Sequence, residues 1–527
     1  MTLTRRHFNA GWLAGGLLPW VGGCANTAQG FDAQSNVLTV PQGALQGRVD
    51  NGIHSFKRIP YAANPYVPER AYAAPQPAPS WSGLRDATRF GPMPPQPSRG
   101  APQTMVGEPD DLCLNIWTPS MDAAAKLPVM VWIPGGAYIR VDASEPWYDG
   151  SAFARDGVVL VSINYRVGAH GFLVLPDAPS NRGILDQIAA LQWVRRNIEA
   201  FGGDPGNVTI MGQSGGGAKV CTTTAMPSAK GLFHKAVVLS GATVRSGDKE
   251  YSEKLGAYVL KEAGLGPTDV DKLQAMPWQQ YLTIANRAQQ KLAAEMGPGG
   301  MMRRGFNPIV DGTIIPQDPY VPEPAPTAAR IPMLICSTFN EQAPSWIDAA
   351  LENVTLDQVV DKVKERAGFG AGFGDRARAV VDAYARAFPD KKPVEIWSLV
   401  SSNRQGVVTL ADAKAKQAPP VFVAWFGWQP PMFDGRIRAF HCVDICFWFN
   451  NTDLMWTHTG GGSRPRKLGQ VMAGQLLQFM KTGDPNGTGL PAWPRYTPAA
   501  GEVMILDDTC VVKNDPDRDA RKALPTT

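Results

Sequence analysis

The chain has 527 residues, of which 44% are hydrophobic and 19% charged, a balance that supports a large folded core and excludes an intrinsically disordered protein. Lys and Arg number 51 against 47 Asp and Glu, for a formal charge of +4. No dense basic run accompanies that balance, so nucleic acid is excluded as the expected partner.

The N-terminus reads as an address rather than as structure. Thr4-Arg5-Arg6-His7-Phe8 has the twin-arginine form, and the apolar stretch from Ala10 to Val21 is too short and too broken by Gly and Pro to span a bilayer. Residues 1–25 are therefore expected to be an export signal of a bacterial protein, and 26–36 a polar tether. Val21-Gly22-Gly23-Cys24 resembles a lipoprotein processing site, which would make Cys24 a lipid anchor to the membrane. The alternative is plain cleavage near Ala25 or Ala28 and a soluble periplasmic product. The other six cysteines (113, 221, 336, 442, 446, 510) are scattered and read as small buried hydrophobes rather than a disulfide framework. Cys442 and Cys446 have no second Cys/His pair at ligand spacing, so no metal is expected.

Further on, short strands are predicted at 37–40 and around 53–61, followed by a proline-dense loop over 91–110 that forms a candidate rim of the functional site. Apolar runs of strand length then recur at 128–133, 158–163, 208–211, 236–239, 332–336 and 420–426, as buried parallel strands require. Leu185, Ile188, Leu191, Val194 and Ile198 stand at helical spacing, and 218–225 predicts a second helix. Helical patterns without strands fill 245–310 and 345–415 and read as insertions capping one edge of the sheet. The expectation is one α/β domain over 37–515 with a doubly wound, mostly parallel sheet, closed by a polar tail at 516–527.

The stretch that carries chemistry is Gly212-Gln213-Ser214-Gly215-Gly216, at the end of the run 208–211. A serine on a sharp strand-to-helix turn needs glycines two positions to either side, because a Cβ there would prevent the turn from closing. Such a nucleophile needs a base, and in the α/β-hydrolase arrangement the order along the chain is Ser, acid, His. That order removes His7, His54 and His170, and His234 follows Ser214 too soon for an acid-bearing strand to intervene. Of the two that remain, His441 is preferred to His458, which lies in a glycine-rich loop, because a base must be held by ordered neighbours. Glu341, just after the strand 332–336, is the candidate acid; Asp311 in Val310-Asp311-Gly312 is the runner-up, although an Asp-Gly pair is more often a turn. Pro134-Gly135-Gly136-Ala137 follows the strand 128–133, which makes the N–H groups of Gly136 and Ala137, with that of Gly215, the expected oxyanion hole.

With these residues in place the chain resembles the type B carboxylesterases, which include para-nitrobenzyl esterases and are similar to cholinesterases. The resemblance runs from Phe56-Lys57-Arg58-Ile59-Pro60-Tyr61-Ala62, through Leu114-Asn115-Ile116-Trp117-Thr118-Pro119, Asn164-Tyr165-Arg166-Val167-Gly168 and Phe201-Gly202-Gly203-Asp204-Pro205-Gly206-Asn207, to Thr482-Gly483-Asp484-Pro485-Asn486. It implies an α/β-hydrolase fold and a cofactor-free hydrolase of small carboxylic esters, with Ser214, Glu341 and His441 as the triad. A carbamate, amide or lactone as the scissile bond, and a non-catalytic binding protein on the same fold, are the alternatives.

The sequence departs from the family pattern at several positions. Pro134 stands where the family usually has His, Ala137 replaces the third glycine, and Gln213 replaces Glu beside the nucleophile. Lys219 takes the place of a serine, and its two readings are a cation that tunes the triad and, the more expected for a lysine, a side chain that points to solvent. Pro94 and Asp111 stand where the family's first disulfide would be. The loop between Met93 and Glu108 holds no Trp, Tyr or Phe, so a quaternary ammonium substrate is not expected.

Overall fold

The apolar runs form the middle of one sheet. In the computed structural model, which describes residues 34–525 apart from 100–102, 111, 297–302 and 369, that sheet has 13 strands. The leader with Cys24, residues 26–33 of the tether, and Asp111 lie outside the described residues. The strands that follow the sheet path are β1 (Gln34–Val40), β2 (Gly43–Asp50), β3 (Ile53–Ala62), β4 (Leu112–Thr118), β5 (Leu127–Ile133) and β6 (Val159–Ile163). After them come β7 (Gly203–Gln213), β8 (Lys235–Leu239), β9 (Met333–Thr338), β10 (Val421–Phe426), β11 (Glu502–Leu506) and β12 (Val511–Asn514). Their spatial order is β1-β2-β3-β4-β6-β5-β7-β8-β9-β10-β11-β12, with the short strand Leu84–Asp86 beside β2.

From β6 through β5 to β11 every pairing is parallel, whereas β1 to β4 and β12 pair antiparallel. The parallel strands are covered on both faces, and alternate residues feed two separate cores. Val129, Val131, Val161, Ile210, Val238 and Ile335 enter one, while Met130, Trp132, Leu160, Met211, Leu239 and Cys336 enter the other. A strand buried on both sides has no polar face to show, hence the continuous apolar runs in the sequence. The C-terminal strands β11 and β12 and the Pro-rich loop's two-residue ladder (Gln96–Pro97 with Met105–Val106) were not expected from the sequence.

Helices α1 (Arg182–Asn197) and α2 (Gly215–Thr224) follow the parallel strands β6 and β7. Between β8 and β9 lie α3 (Lys249–Glu262) and α4 (Trp278–Met296), and between β9 and β10 lie α5 (Leu356–Glu365), α6 (Ala377–Ala387), α7 (Pro393–Val400) and α8 (Arg404–Ala415). Their apolar residues, among them Leu255, Ala285, Val359, Val380, Leu399 and Leu410, join the same core as α1. The last long helix, α9 (Ser463–Thr482), packs into the core on the opposite face through Leu468, Met472 and Leu476.

Two boundaries differ from expectation. Residues 34–36 of the tether are already in β1, held by pairs such as Asn36 with Gly47. The segment after 515 is not a free polar tail. Asp517 is buried against Arg404 of α8 at 3.3 Å, and Arg521 binds Asp515 at 2.7 Å, so ion pairs that composition alone cannot reveal dock this end.

Arg166 and Asp186 fasten the loop after β6 to α1. Both are buried, the Arg166 backbone N–H and Nε donate to one Asp186 oxygen at 2.9 Å each, and Nη2 donates to the other at 2.7 Å. Removing one member leaves a buried charge without its partner, so Asp186→Ala is expected to destabilise the fold by about 3–5 kcal/mol. A urea unfolding midpoint equal to that of the parent chain would contradict this.

Candidate active site

β7 ends at Gln213, α2 begins at Gly215, and Ser214 makes the whole turn between them with φ 56° and ψ −126°. For a residue with a Cβ that conformation costs on the order of 1–3 kcal/mol, and the surroundings must impose it. Its N–H donates to the Leu239 carbonyl at the end of β8 at 2.8 Å, and its own carbonyl accepts from Ala218 at 3.0 Å to start the helix. The flanking glycines are steric necessities. A Cβ on Gly212 would lie 2.4 Å from the Gly216 carbonyl carbon, and one on Gly216 would lie 2.0 Å from the Ile133 carbonyl oxygen.

The acid and the histidine lie beyond β8, in the segments that follow β9 and β10. Glu341 follows β9 and is buried; its Oε1 accepts the Thr338 N–H at 3.0 Å and its Oε2 pairs with His441 Nδ1. Asn340 N–H donates to the Ala439 carbonyl at 3.1 Å, which fastens the acid's loop to the histidine's. On the other side of the ring, the Gln213 amide donates to His441 Nε2 at 3.3 Å, and Gln213 Oε1 accepts from Cys442 Sγ at 3.3 Å. An amide nitrogen can only donate, so the ring carries its proton on Nδ1 toward Glu341 and presents its Nε2 lone pair as an acceptor, the tautomer a general base requires. Because Gln213 is the neighbour of Ser214, this contact holds the basic nitrogen at the serine turn.

Two polar groups beside His441 had no role assigned from the sequence, although both lie within three positions of it. Cys442, with φ 81°, sets its sulfur beside the ring and the Gln213 amide. Asp444 is fully buried, and its Oδ2 accepts from Trp448 Nε1 at 3.2 Å. Burial and the charge of Glu341 push the Asp444 carboxyl up to about 7. Burial works to lower the His441 pKa, but the Cys442 sulfur and the Glu341 carboxylate outweigh it and hold the imidazole well above its ordinary value.

The segment after β5 supplies the third part. Gly136 (φ 113°) and Ala137 (φ 53°) both turn left-handed, and the Gly136 carbonyl accepts from Ile139 at 3.2 Å and Arg140 at 3.0 Å. The Tyr165 hydroxyl donates to the Pro134 carbonyl, and Gly168 N–H donates to the Tyr138 carbonyl at 2.7 Å. Gln96 clasps the Val141 backbone at 2.7 and 3.0 Å, and Arg140 donates to Pro97 and Ser98, which ties the proline-dense loop to this segment. A Cβ on Gly215 would meet the Ala137 carbonyl oxygen at 2.1 Å, so the serine turn and this segment touch backbone to backbone. That contact brings Gly136, Ala137 and Gly215 into one neighbourhood.

Lys219 corrects the sequence expectation. It does not reach solvent: its side chain is completely buried, and its ammonium donates to the Ala137 carbonyl at 2.5 Å and the Gly215 carbonyl at 3.0 Å. The faces of Tyr138 and Tyr165 lie 4.5 and 5.0 Å away. Carbonyl oxygens and aromatic faces thus replace water around the charge, and burial holds its pKa well below the ordinary lysine value.

The runner-up residues are elsewhere. Asp311 binds Asn181 Nδ2 at 2.8 Å and the N–H groups of Thr313, Ile314 and Ile315, a turn anchor. His458 lies in the short helix Trp456–Thr459 and packs against Phe440 and Trp147, with ring centroids 5.8 and 5.6 Å apart. His234 accepts the Val208 N–H at 3.1 Å, a structural role. Phe440 also contacts Trp346 at 4.9 Å, so an aromatic wall extends from the residue before His441. Among the described residues no group of three or more His, Cys, Asp or Glu could hold a metal, and all six cysteines are free thiols.

A serine at a strand-to-helix turn of a doubly wound, mostly parallel sheet places the chain in the α/β-hydrolase class. The chain belongs to the carboxylesterase family, whose model it matches over residues 34–522, and it is an ester-hydrolysing enzyme. It is 33% identical to the para-nitrobenzyl esterase of Bacillus subtilis (strain 168), covering 93% of this chain and 98% of that relative. Phenmedipham hydrolase of Pseudarthrobacter oxydans is 30% identical, over 88% of this chain and 94% of the relative. Among solved structures, a Geobacillus stearothermophilus carboxylesterase superposes with a TM-score of 0.76 at 34% identity, covering 93% of this chain and all of the other.

With His441 as the general base proposed below, activity should rise with pH as the imidazole loses its proton, because a base must be neutral to act. The acid limb of kcat/KM is expected above the ordinary imidazole value of 6.5, and Cys442→Ala should move it down. Gln213→Glu, which adds a negative charge beside the ring, should move it up. A parent limb at or below 6.5, or variants that leave it in place, would count against this electrostatic account.

Proposed function

We propose that the protein is an exported serine hydrolase of small carboxylic esters that works through Ser214, His441 and Glu341 and an acyl-enzyme intermediate. The observation that carries this reading is the histidine held between Glu341 at Nδ1 and the Gln213 amide at Nε2, immediately beside the serine turn.

Ser214 Oγ attacks the ester carbonyl while His441 Nε2 accepts its proton, and Glu341 stabilises the imidazolium that results. The carbonyl oxygen becomes an oxyanion and accepts hydrogen bonds from the N–H groups of Gly136, Ala137 and Gly215. Collapse of this intermediate expels the alkoxide, which takes the proton back from His441. Water, activated by the same imidazole, then cleaves the acyl-enzyme and frees the acid. Similarity to the relative named para-nitrobenzyl esterase supports esters with an aryl or benzyl group as substrates.

Ser214→Ala is expected to lower kcat toward para-nitrophenyl butyrate by at least about 10⁴-fold and to abolish labelling by a fluorophosphonate. Equal rates in the parent and the variant would reject the assignment. The same triad acting on a carbamate, amide or lactone is the second reading, favoured by the similarity to phenmedipham hydrolase. Phenmedipham belongs in the substrate panel, and faster turnover of it than of any ester would make this reading the better one.

Export rests on the Arg5-Arg6 pair and the apolar stretch behind it. Arg5→Lys with Arg6→Lys should retain the protein in the cytoplasm, whereas undiminished export would overturn the route. Membrane fractionation of Cys24→Ala separates a lipid-anchored protein, which the change releases, from a soluble one, which it leaves unaltered.

A further inference from the structure

Lys219 is a feature of the site that neither the triad chemistry nor the family pattern accounts for. It stands four residues after Gly215 on α2. Helical side chains lean toward the N-terminus, so its stem runs back along the helix and delivers the ammonium beneath the serine turn. This is an unfavourable place for a cation. Helix N-termini carry partial positive charge, and among the described residues no carboxylate lies within ion-pair distance of Lys219. What it meets instead are two backbone oxygens and two aromatic faces.

The two oxygens belong to the two segments that supply the oxyanion-hole N–H groups. Ala137 is left-handed, which turns its carbonyl inward onto Gly215, with no room for a water between them. The Lys219 ammonium donates to this half-buried carbonyl while also binding the Gly215 carbonyl. One cation therefore ties the segment after β5 to the start of α2.

We propose that Lys219 is a positioning residue for the reaction: by joining the Ala137 and Gly215 carbonyls it keeps the N–H groups of Gly136, Ala137 and Gly215 at the spacing a tetrahedral oxyanion requires. This rests on the serine-hydrolase reading above. Lys219 does not touch substrate and moves no proton. Its effect falls on the transition state, because only there is the full negative charge on the oxygen present.

The experiment compares the parent chain with Lys219→Met, which keeps the stem and removes the donor, and with Lys219→Ser, which opens space for water. Three quantities are measured in each: kcat and KM for para-nitrophenyl butyrate, inhibition by an aryl trifluoromethyl ketone that adds to Ser214 as a tetrahedral adduct, and thermal midpoint. The expected result is a fall in kcat of about 10- to 100-fold with KM within about twofold, and a matching loss of affinity for the ketone. A purely structural role would lower the thermal midpoint and leave the folded enzyme's kcat and ketone affinity intact, and that result overturns the proposal. Should Lys219→Met not fold, Lys219→Ser is read in the same way, and failure of both to fold also overturns it. A parent enzyme that neither hydrolyses esters nor takes a fluorophosphonate would instead refute the underlying reading.

Discussion

The serine turn and the segment after β5 meet with no clearance, and the rest of the site is built around that contact. Gly216 faces the Ile133 carbonyl and Gly215 the Ala137 carbonyl at distances that admit no side chain. Everything nearby either permits this approach or exploits it. The parallel sheet places β5 and β7 side by side, so their C-terminal ends emerge next to each other. The left-handed Ser214 turns the chain back into α2, and the left-handed Ala137 turns the neighbouring segment across it. In the proposed function this approach is what lets backbone N–H groups from both segments serve one oxyanion.

Strain on this scale persists only if the surroundings over-determine it. Here they do so from several sides. The Leu239 carbonyl fixes the Ser214 N–H, Tyr165 and Gly168 hold the segment from Pro134 to Tyr138, Gln96 and Arg140 bind it to the proline-dense loop, and Lys219 closes it from below. The Arg166–Asp186 pair anchors the loop that carries Tyr165. The segment so held is the one that the proposed function assigns to the oxyanion, where small displacements are most damaging to catalysis.

The histidine half is built differently. His441 stands among groups whose charges are coupled: Glu341 in contact, Cys442 beside it, and Asp444 buried three residues on. Replacement of the family's usual Glu by Gln213 removes one negative charge from this cluster and substitutes a donor that fixes the ring's tautomer. Orientation of the imidazole therefore depends on a neutral amide here, while Cys442 and Glu341 raise its pKa.

Much of this was legible before any coordinates. Runs such as 128–133 and 208–211 announce strands covered on both faces, because a strand with a wet side must alternate. The glycines around Ser214 mark a turn that only their lack of Cβ allows, and the order of serine, glutamate and histidine along the chain left few candidates. What stayed hidden depends on partners distant in sequence. β4 conceals itself with Asn115, whose amide reaches Ser162 on the neighbouring strand. The end after residue 515 looked like a tail because ion pairs with Arg404 cannot be seen in composition. Lys219 is the sharpest case. From sequence a lysine belongs in water, since its charge is costly to bury. Only the packing of α2 under two backbone carbonyls and two tyrosines, brought together from β5, β6 and β7, supplies enough donors' partners and aromatic surface to hold that charge inside.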